Sequence, residues 1–206
     1  MEKTTRLILV AGVIIALLVA ILFYYTFFNQ KNSDLTASSI STGINPAKGN
    51  ASSKIIIIEF SDFQCPACRA ALPVIDAVLS KYDIAFYYRN FPLPMHKNSM
   101  IAALAASCAN EQDEFWNYHD ILFENQESLD SESLKGYARQ LDLSIEQFSL
   151  CLDSHKYKKE IEKDFQDGER LGVGGTPTFF INNRKVEGAN LNVFESIIKS
   201  EMMANE

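Results

Sequence analysis

The sequence predicts an α/β domain interrupted by a block of helices and preceded by one N-terminal transmembrane helix. Three observations carry this. Leu7 to Phe28 is a charge-free run long enough to cross a bilayer core of about 30 Å as a helix. Ile55 to Ile58 is apolar and entirely β-branched, too short for a helix core, and reads as a buried strand. Helical periodicity fills Asn98 to about Phe165, and strand character then returns from Thr178 to Glu187. The order strand, helix, strand, helical block, hairpin, helix is that of a layered α/β domain.

Composition narrows the classes. With 206 residues, 47% of them hydrophobic, and 14 Phe and 8 Tyr, there is material for one packed domain plus accessory segments. A net charge of −7 and the lack of a basic patch interleaved with aromatics argue against a nucleic-acid partner.

Taken in order, Lys3 and Arg6 precede the apolar run, Lys31 follows it, and Tyr24 and Tyr25 sit near one end as interfacial aromatics do. The expectation is a cytoplasmic stretch (1–6), a signal anchor (7–28) and an extracytoplasmic remainder; a cleaved signal peptide is the alternative. Residues 29–53, rich in Ser, Thr, Asn and Gly, read as a linker with a short edge strand near its end.

The strand at Ile55 leads to Cys65-Pro66-Ala67-Cys68, followed by a helical stripe of Leu72, Ile75, Val78 and Leu79. Proline suits the first turn of a helix, so Cys65 falls at the helix start and Cys68 one turn in. Unpaired N–H groups and the helix dipole favour a thiolate at Cys65, the reactive form. Pro73 is expected to kink this helix without ending it, because the stripe continues. A competing reading is a metal site, since thiolates bind Zn²⁺ or Cu(I). Two sulfurs make half a tetrahedral shell, and no second C-x-x-C or H-x₃-H completes it.

Ile84 to Arg89 reads as a second strand, broken by Asn90-Phe91-Pro92-Leu93-Pro94. Within the helical block, Ile101, Leu104, Ala105 and Cys108 mark one apolar face, and Phe115, Trp116, Leu122 and Phe123 a second, with Asp113 as its N-cap. Leu134, Tyr137, Ala138 and Leu141 mark a third, and Ser144 with Gln147 a capping box before Phe148, Cys151 and Leu152. Lys156 to Arg170 is a helix with a solvated face. Asn182-Asn183 is a hairpin turn, and Asn190 caps a last helix with Leu191, Phe194, Ile197 and Ile198 inside.

These residues resemble the DsbA-like thiol–disulfide oxidoreductases, a thioredoxin-like fold with an inserted helical domain. The resemblance rests on Glu59-Phe60 with Cys65-Pro66-Ala67-Cys68, on Phe91-Pro92-Leu93 with His96, and on Gly174-Gly175-Thr176-Pro177-Thr178. The insertion with Phe115-Trp116, ending near Asp167-Gly168, is similar too. It implies a thioredoxin-like domain over 54–206 with a helical insertion at about 96–166. Cys65 would be the nucleophile and Cys68 the resolving thiol. Glu59 would lie beneath the dithiol as a proton relay, its pKa raised by desolvation; a strand-end glutamate facing water is the alternative. The Thr176–Pro177 bond would be cis, an isomer that only X–Pro bonds adopt cheaply. Thr176 and Pro177, with Pro66 and Ala67, would then border the substrate chain.

Ala67 stands where strongly oxidising members carry a histidine, so a milder oxidant is expected. In an oxidising compartment Cys108 and Cys151 are expected to form a structural disulfide, two reduced buried thiols being the alternative. Asp62 reads as a loop or cap residue. His96 either borders the groove or helps start a helix, and His119 and His155 read as structural or solvated. The implied protein is monomeric, needs no cofactor beyond the Cys65–Cys68 disulfide, and oxidises reduced exported proteins before reoxidation by a quinone-linked membrane thiol oxidase. A reductase or isomerase with the same site, or a dithiol metal-binding module, are the rival functions.

Overall fold

The structure, a computed structural model, describes residues 15–24, 40–182 and 184–204. Residues 15–24 are helical and expose apolar side chains; the rest of the predicted 7–28 span lies outside the described residues. Among the described residues no helix is long and apolar enough to cross a membrane. A separate compact unit begins at Ser41, so residues 41–53, part of the expected linker, belong to it.

Among the described residues five strands form its sheet: β1 (Lys48–Gly49), β2 (Ile56–Ser61), β3 (Ala85–Asn90), β4 (Thr178–Ile181) and β5 (Arg184–Glu187), in the order β1-β3-β2-β4-β5. β2 and β3 run parallel and the other pairs antiparallel. Parallel neighbours need a crossover, and α1 (Pro66–Lys81) supplies it. Pro73 lies inside α1, which continues past it as expected.

Side chains alternate across a strand, so Ile57, Glu59 and Ser61 share one face of β2. There Ile57, Phe86 and Phe179 pack with Ala71, Ile75 and Val78 of α1, and with Phe194 and Ile198 of α7 (Leu191–Ala204). Asn190 caps α7 through its carboxamide oxygen. Leu191, expected inside, is exposed although it shares the stripe of Phe194 and Ile198, because it is the first residue of the helix.

The opposite face meets α6 (Lys158–Arg170). Arg89 is fully buried there; its Nε and Nη2 donate to Asp164 and Asp167 at 2.7 Å each, and its Nη1 donates to the Ser41 carbonyl. Removing one partner of such a buried network leaves an uncompensated charge, which costs about 3–5 kcal/mol. Gly168 is needed for close approach, since a Cβ there would sit 2.7 Å from the Phe91 ring.

The insertion comprises α2 (Ser99–Asn110), α3 (Phe115–Glu124), α4 (Ser131–Gln140), α5 (Ile145–Asp153) and α6. The expected single apolar face of α2 is a correction: Ala102 to Ala109 are buried all round, because the other helices enclose it. Cys108 and Cys151 are bonded, with Cα atoms 5.8 Å apart, tying α2 to α5. Closing the 43-residue separation corresponds to roughly 4 kcal/mol in the chain-entropy account.

Two caps differ from expectation. Asp113 takes a positive φ of 61° and Glu114 occupies the N-cap of α3, since the chain must turn sharply between α2 and α3. Ser144 accepts from the Gln147 N–H, but the Gln147 side chain turns to Glu111 and Gln112 takes the Ser144 N–H. Tertiary partners outcompeted the local box.

Candidate active site

Cys65 occupies the N-cap of α1, with φ −80° and ψ 119° and Pro66 behind it. The loop before it is held by side chains. Asp62 accepts from the Gln64 N–H (2.8 Å) and from the Leu93 N–H (2.8 Å), and its Oδ2 lies 2.8 Å from Nδ1 of His96. Gln64 in turn accepts from the Asn98 N–H at 2.6 Å. Asp62 is thus the loop residue it was expected to be, and His96 staples the proline-rich segment to the approach to Cys65.

Gln126, buried after α3, donates from Nε2 to the carbonyls of Phe63 (2.8 Å) and Cys65 (2.9 Å). Sequence reasoning missed it: a lone carboxamide in an inter-helix turn carries no periodicity and no motif.

Both thiols are reduced in this structure. Cys65 is drawn down to a pKa of about 5. The hydrogen bond from the Cys68 thiol is the largest influence; burial opposes it, and the Thr176 side chain and the N–H groups of Cys68 and Ala67 assist. The helix N-terminus therefore contributes as the sequence suggested, but behind the neighbouring thiol. Cys68 is fully enclosed, and burial first, then Cys65 and the Glu59 carboxyl, push its thiol far up. The dithiol is asymmetric: one sulfur ionises easily and the other holds its proton.

Glu59 lies in the middle of β2, paired with Tyr88 on one side and Phe179 on the other. It is 2% exposed, so the water-facing alternative does not hold. Burial pushes its pKa up to about 8, with the Ser61 side chain opposing and the Cys65 charge adding. At neutral pH this carboxyl keeps its proton.

The Thr176–Pro177 peptide is cis, and Sγ of Cys65 lies 3.5 Å from the Thr176 carbonyl oxygen. Pro66 and Ala67 are exposed, Thr176 is half-buried and Pro177 is buried. His119, expected structural or solvated, is buried among Phe63, Tyr88, Phe115 and Trp116, and burial lowers its pKa. Among the described residues no group of three or more His, Cys, Asp or Glu side chains is gathered to hold a metal ion.

A C-x-x-C opening a helix, faced by a cis-proline loop across a mixed sheet, defines the class of thioredoxin-fold dithiol proteins. A family model described as Thioredoxin matches residues 41–200, and the chain belongs to that family. The solved structures it is similar to include the thiol-disulfide exchange protein alpha-DsbA2 of Wolbachia pipientis, at 22% identity and a TM-score of 0.69, covering 85% of this chain and 92% of that one. BdbD of Bacillus subtilis is 24% identical with a TM-score of 0.68, covering 80% of this chain and 95% of that one. A thioredoxin-like oxidoreductase from Silicibacter pomeroyi is 22% identical with a TM-score of 0.72, covering 83% and 98%. The fold is therefore the DsbA-like form of thioredoxin.

By sequence the chain is also 33% identical over 156 residues to a Na(+)/H(+) antiporter NhaA 1 of Salinispora arenicola, covering 74% of this chain and 24% of the antiporter. The NhaA antiporter of Herminiimonas arsenicoxydans is 30% identical over 190 residues, covering 86% and 30%. The chain spans about a quarter to a third of the length of these curated relatives.

Proposed function

We propose that this chain is a thiol–disulfide oxidoreductase anchored by residues 7–28, with residues 1–6 in the cytoplasm and the thioredoxin-like domain outside it, oxidising cysteine pairs in exported proteins. The observation that carries the reading is the split between the two thiols, Cys65 lowered to about 5 and Cys68 raised, beside the Thr176 carbonyl. Exchange needs one sulfur that leaves readily as a thiolate and a partner that waits protonated; Cys65, 7% exposed, is the less enclosed of the two.

In this reading a substrate thiolate attacks Sγ of Cys65 in the oxidised protein. The Cys65–Cys68 bond breaks, the substrate–Cys65 disulfide forms, and Cys68 takes up a proton. A second substrate thiolate then attacks the substrate sulfur of that mixed disulfide, expelling Cys65 as a thiolate and leaving the substrate oxidised. Thr176 offers backbone groups to the extended substrate, and exposed Pro66 and Ala67 border it. The two electrons gained pass to a quinone-linked membrane thiol oxidase, for which a bilayer anchor is a suitable location. Likeness in fold to the thiol-disulfide exchange protein of Wolbachia pipientis supports this chemistry.

The test is trapping in cells. Cys68→Ala in the full chain should accumulate exported proteins joined to Cys65 by a disulfide, in the membrane fraction. Absence of any covalent partner would overturn the reading. The reduction potential gives the direction of flow: about −120 mV marks an oxidant and about −270 mV a reductase.

A further inference from the structure

The residues leading into the dithiol are held by the loop after β3 and by the helical insertion. Asp62 takes the Leu93 N–H and contacts His96, and Gln64 takes the Asn98 N–H. The Phe63 ring packs against Phe123 and His119 of α3, with ring centres 5.1 and 5.7 Å away. The closest hold on the reacting residue is that of Gln126, in the turn between α3 and α4.

Gln126 is 6% exposed. A carboxamide nitrogen carries two N–H groups, and here it reaches two carbonyls, those of Phe63 and Cys65, at 2.8 and 2.9 Å. A flipped carboxamide would set its oxygen against both carbonyl oxygens, so the hydrogen-bond network fixes its orientation. The turn that carries it is fixed as well. Asn125 Nδ2 donates to the Ile121 carbonyl at 2.8 Å, and the Ser128 N–H to the Asn125 carbonyl at 2.9 Å. The Tyr137 hydroxyl then donates to the Ser128 carbonyl at 2.9 Å. A donor supported in this way is preorganised.

The Cys65–Pro66 peptide has no N–H, so its carbonyl is the group by which it can be held. That carbonyl also accepts from the N–H groups of Cys68 and Arg69, at 3.1 and 3.3 Å, which start α1. Rotation about the Cα–C bond of Cys65, where ψ is 119°, would turn the carbonyl and the first turn of α1 relative to Sγ. In the oxidised protein the Cys65–Cys68 bond ties this turn covalently. In the reduced protein that tie is gone, and non-covalent contacts alone keep the N–H groups of Ala67 and Cys68 on the sulfur.

We propose that Gln126 is a positioning residue for thiol–disulfide exchange, holding the Phe63 and Cys65 carbonyls so that the first turn of α1 stays aimed at Sγ once the Cys65–Cys68 bond has opened. The inference rests on the oxidoreductase reading above. Because the covalent tie is absent only in the reduced form, losing Gln126 weakens that form more and makes the protein a weaker oxidant. The titratable groups bearing on Cys65 are Cys68 of α1 and Glu59 of β2. Gln126 itself carries no charge and acts through geometry.

The experiment compares the full chain with two variants. Gln126→Met keeps the length and removes the donor; Gln126→Glu is nearly isosteric and turns an oxygen toward the carbonyls. Alkylation of Cys65 by iodoacetamide and the equilibrium with reduced and oxidised glutathione are each followed against pH. Both variants are expected to raise the alkylation midpoint by about one pH unit, the scale of one aligned N–H on an anion. At neutral pH the equilibrium then moves about tenfold toward oxidised protein, equivalent to about 30 mV. This gap is expected to close as pH falls through about 5, where Cys65 becomes protonated with or without the clamp. Cys108→Ala with Cys151→Ala, destabilised away from the dithiol, is expected to keep the wild-type midpoint.

Lowered stability in the Gln126 variants with wild-type midpoint and equilibrium would make the residue merely structural and overturn the proposal. An equal shift in the control lacking Cys108 and Cys151 overturns it too, as does an offset that stays constant with pH. Should neither variant fold, the Gln126 carboxamide protons of isotope-labelled, reduced wild type decide by magnetic resonance. Slow solvent exchange of both is expected, and exchange as fast as that of an exposed carboxamide overturns the proposal. Failure of the wild type to exchange with glutathione overturns the oxidoreductase reading instead.

Discussion

The largest influence holding the Cys65 thiolate is a hydrogen bond from Cys68, and removing that donor has a calculable consequence. A hydrogen bond to a charged group contributes about 1.5–3 kcal/mol, and one pH unit corresponds to about 1.4 kcal/mol. Cys68→Ala should therefore raise the Cys65 pKa by about 1 to 2 units. From a wild-type midpoint of about 5, the variant should titrate near 6 to 7 rather than at the ordinary thiol value of about 8.5. The remaining depression comes from the Thr176 side chain and the N–H groups of Cys68 and Ala67, which the substitution leaves in place. The assay is the rate of iodoacetamide alkylation of reduced protein from acid to alkali, with the thiolate absorbance as a second readout. An unchanged midpoint in Cys68→Ala would refute the reasoning and return the whole effect to the helix N-terminus. A wild-type midpoint in the alkaline range would sink it altogether.

Two further perturbations test other parts of the structure. Cys108→Ala with Cys151→Ala removes the α2–α5 link and should destabilise the domain by about 2–4 kcal/mol, read from urea unfolding of the otherwise oxidised protein; a change under about 1 kcal/mol would show that the closed loop adds little beyond packing. Glu59, raised by burial from 4.5 to about 8, keeps a proton in the folded state that the unfolded chain has released. The stability it provides is thus fully present below about pH 4.5 and is lost as pH rises through about 8, at up to about 1.4 kcal/mol per pH unit. Measured on oxidised protein, where Cys65 does not titrate, the difference between wild type and Glu59→Gln should carry this slope, and parallel pH profiles would contradict it.

Much of the site was legible in the chain because its signals are local. A β-branched run is a strand by the stiffness of its side chains, and Cys-Pro at a helix start follows from a proline that has no N–H to lose. The Thr176-Pro177 turn, the hairpin at Asn182 and the Asn190 cap depend on residues within a few positions of one another, and each stands as expected. Where expectation failed, a distant partner had intervened. Gln112 and Glu111 drew Ser144 and Gln147 out of their box, and enclosure by neighbouring helices buried every side of α2.

What the amino-acid order determined by itself was the set of chemical parts: a dithiol with a fixed spacing, a strand carrying an acid, a Thr-Pro turn and an apolar N-terminal run. Each is encoded by near neighbours, so short-range sterics and hydrogen bonding suffice. Tertiary structure alone decided which parts meet. It set Gln126 on the carbonyls of Phe63 and Cys65, joined Cys108 to Cys151, paired Arg89 with two aspartates of α6, and enclosed Ser61 with Glu59, Tyr88 and Cys68. Burial and charge separation depend on three-dimensional neighbours far apart in the chain, and pKa values follow the environment those neighbours make.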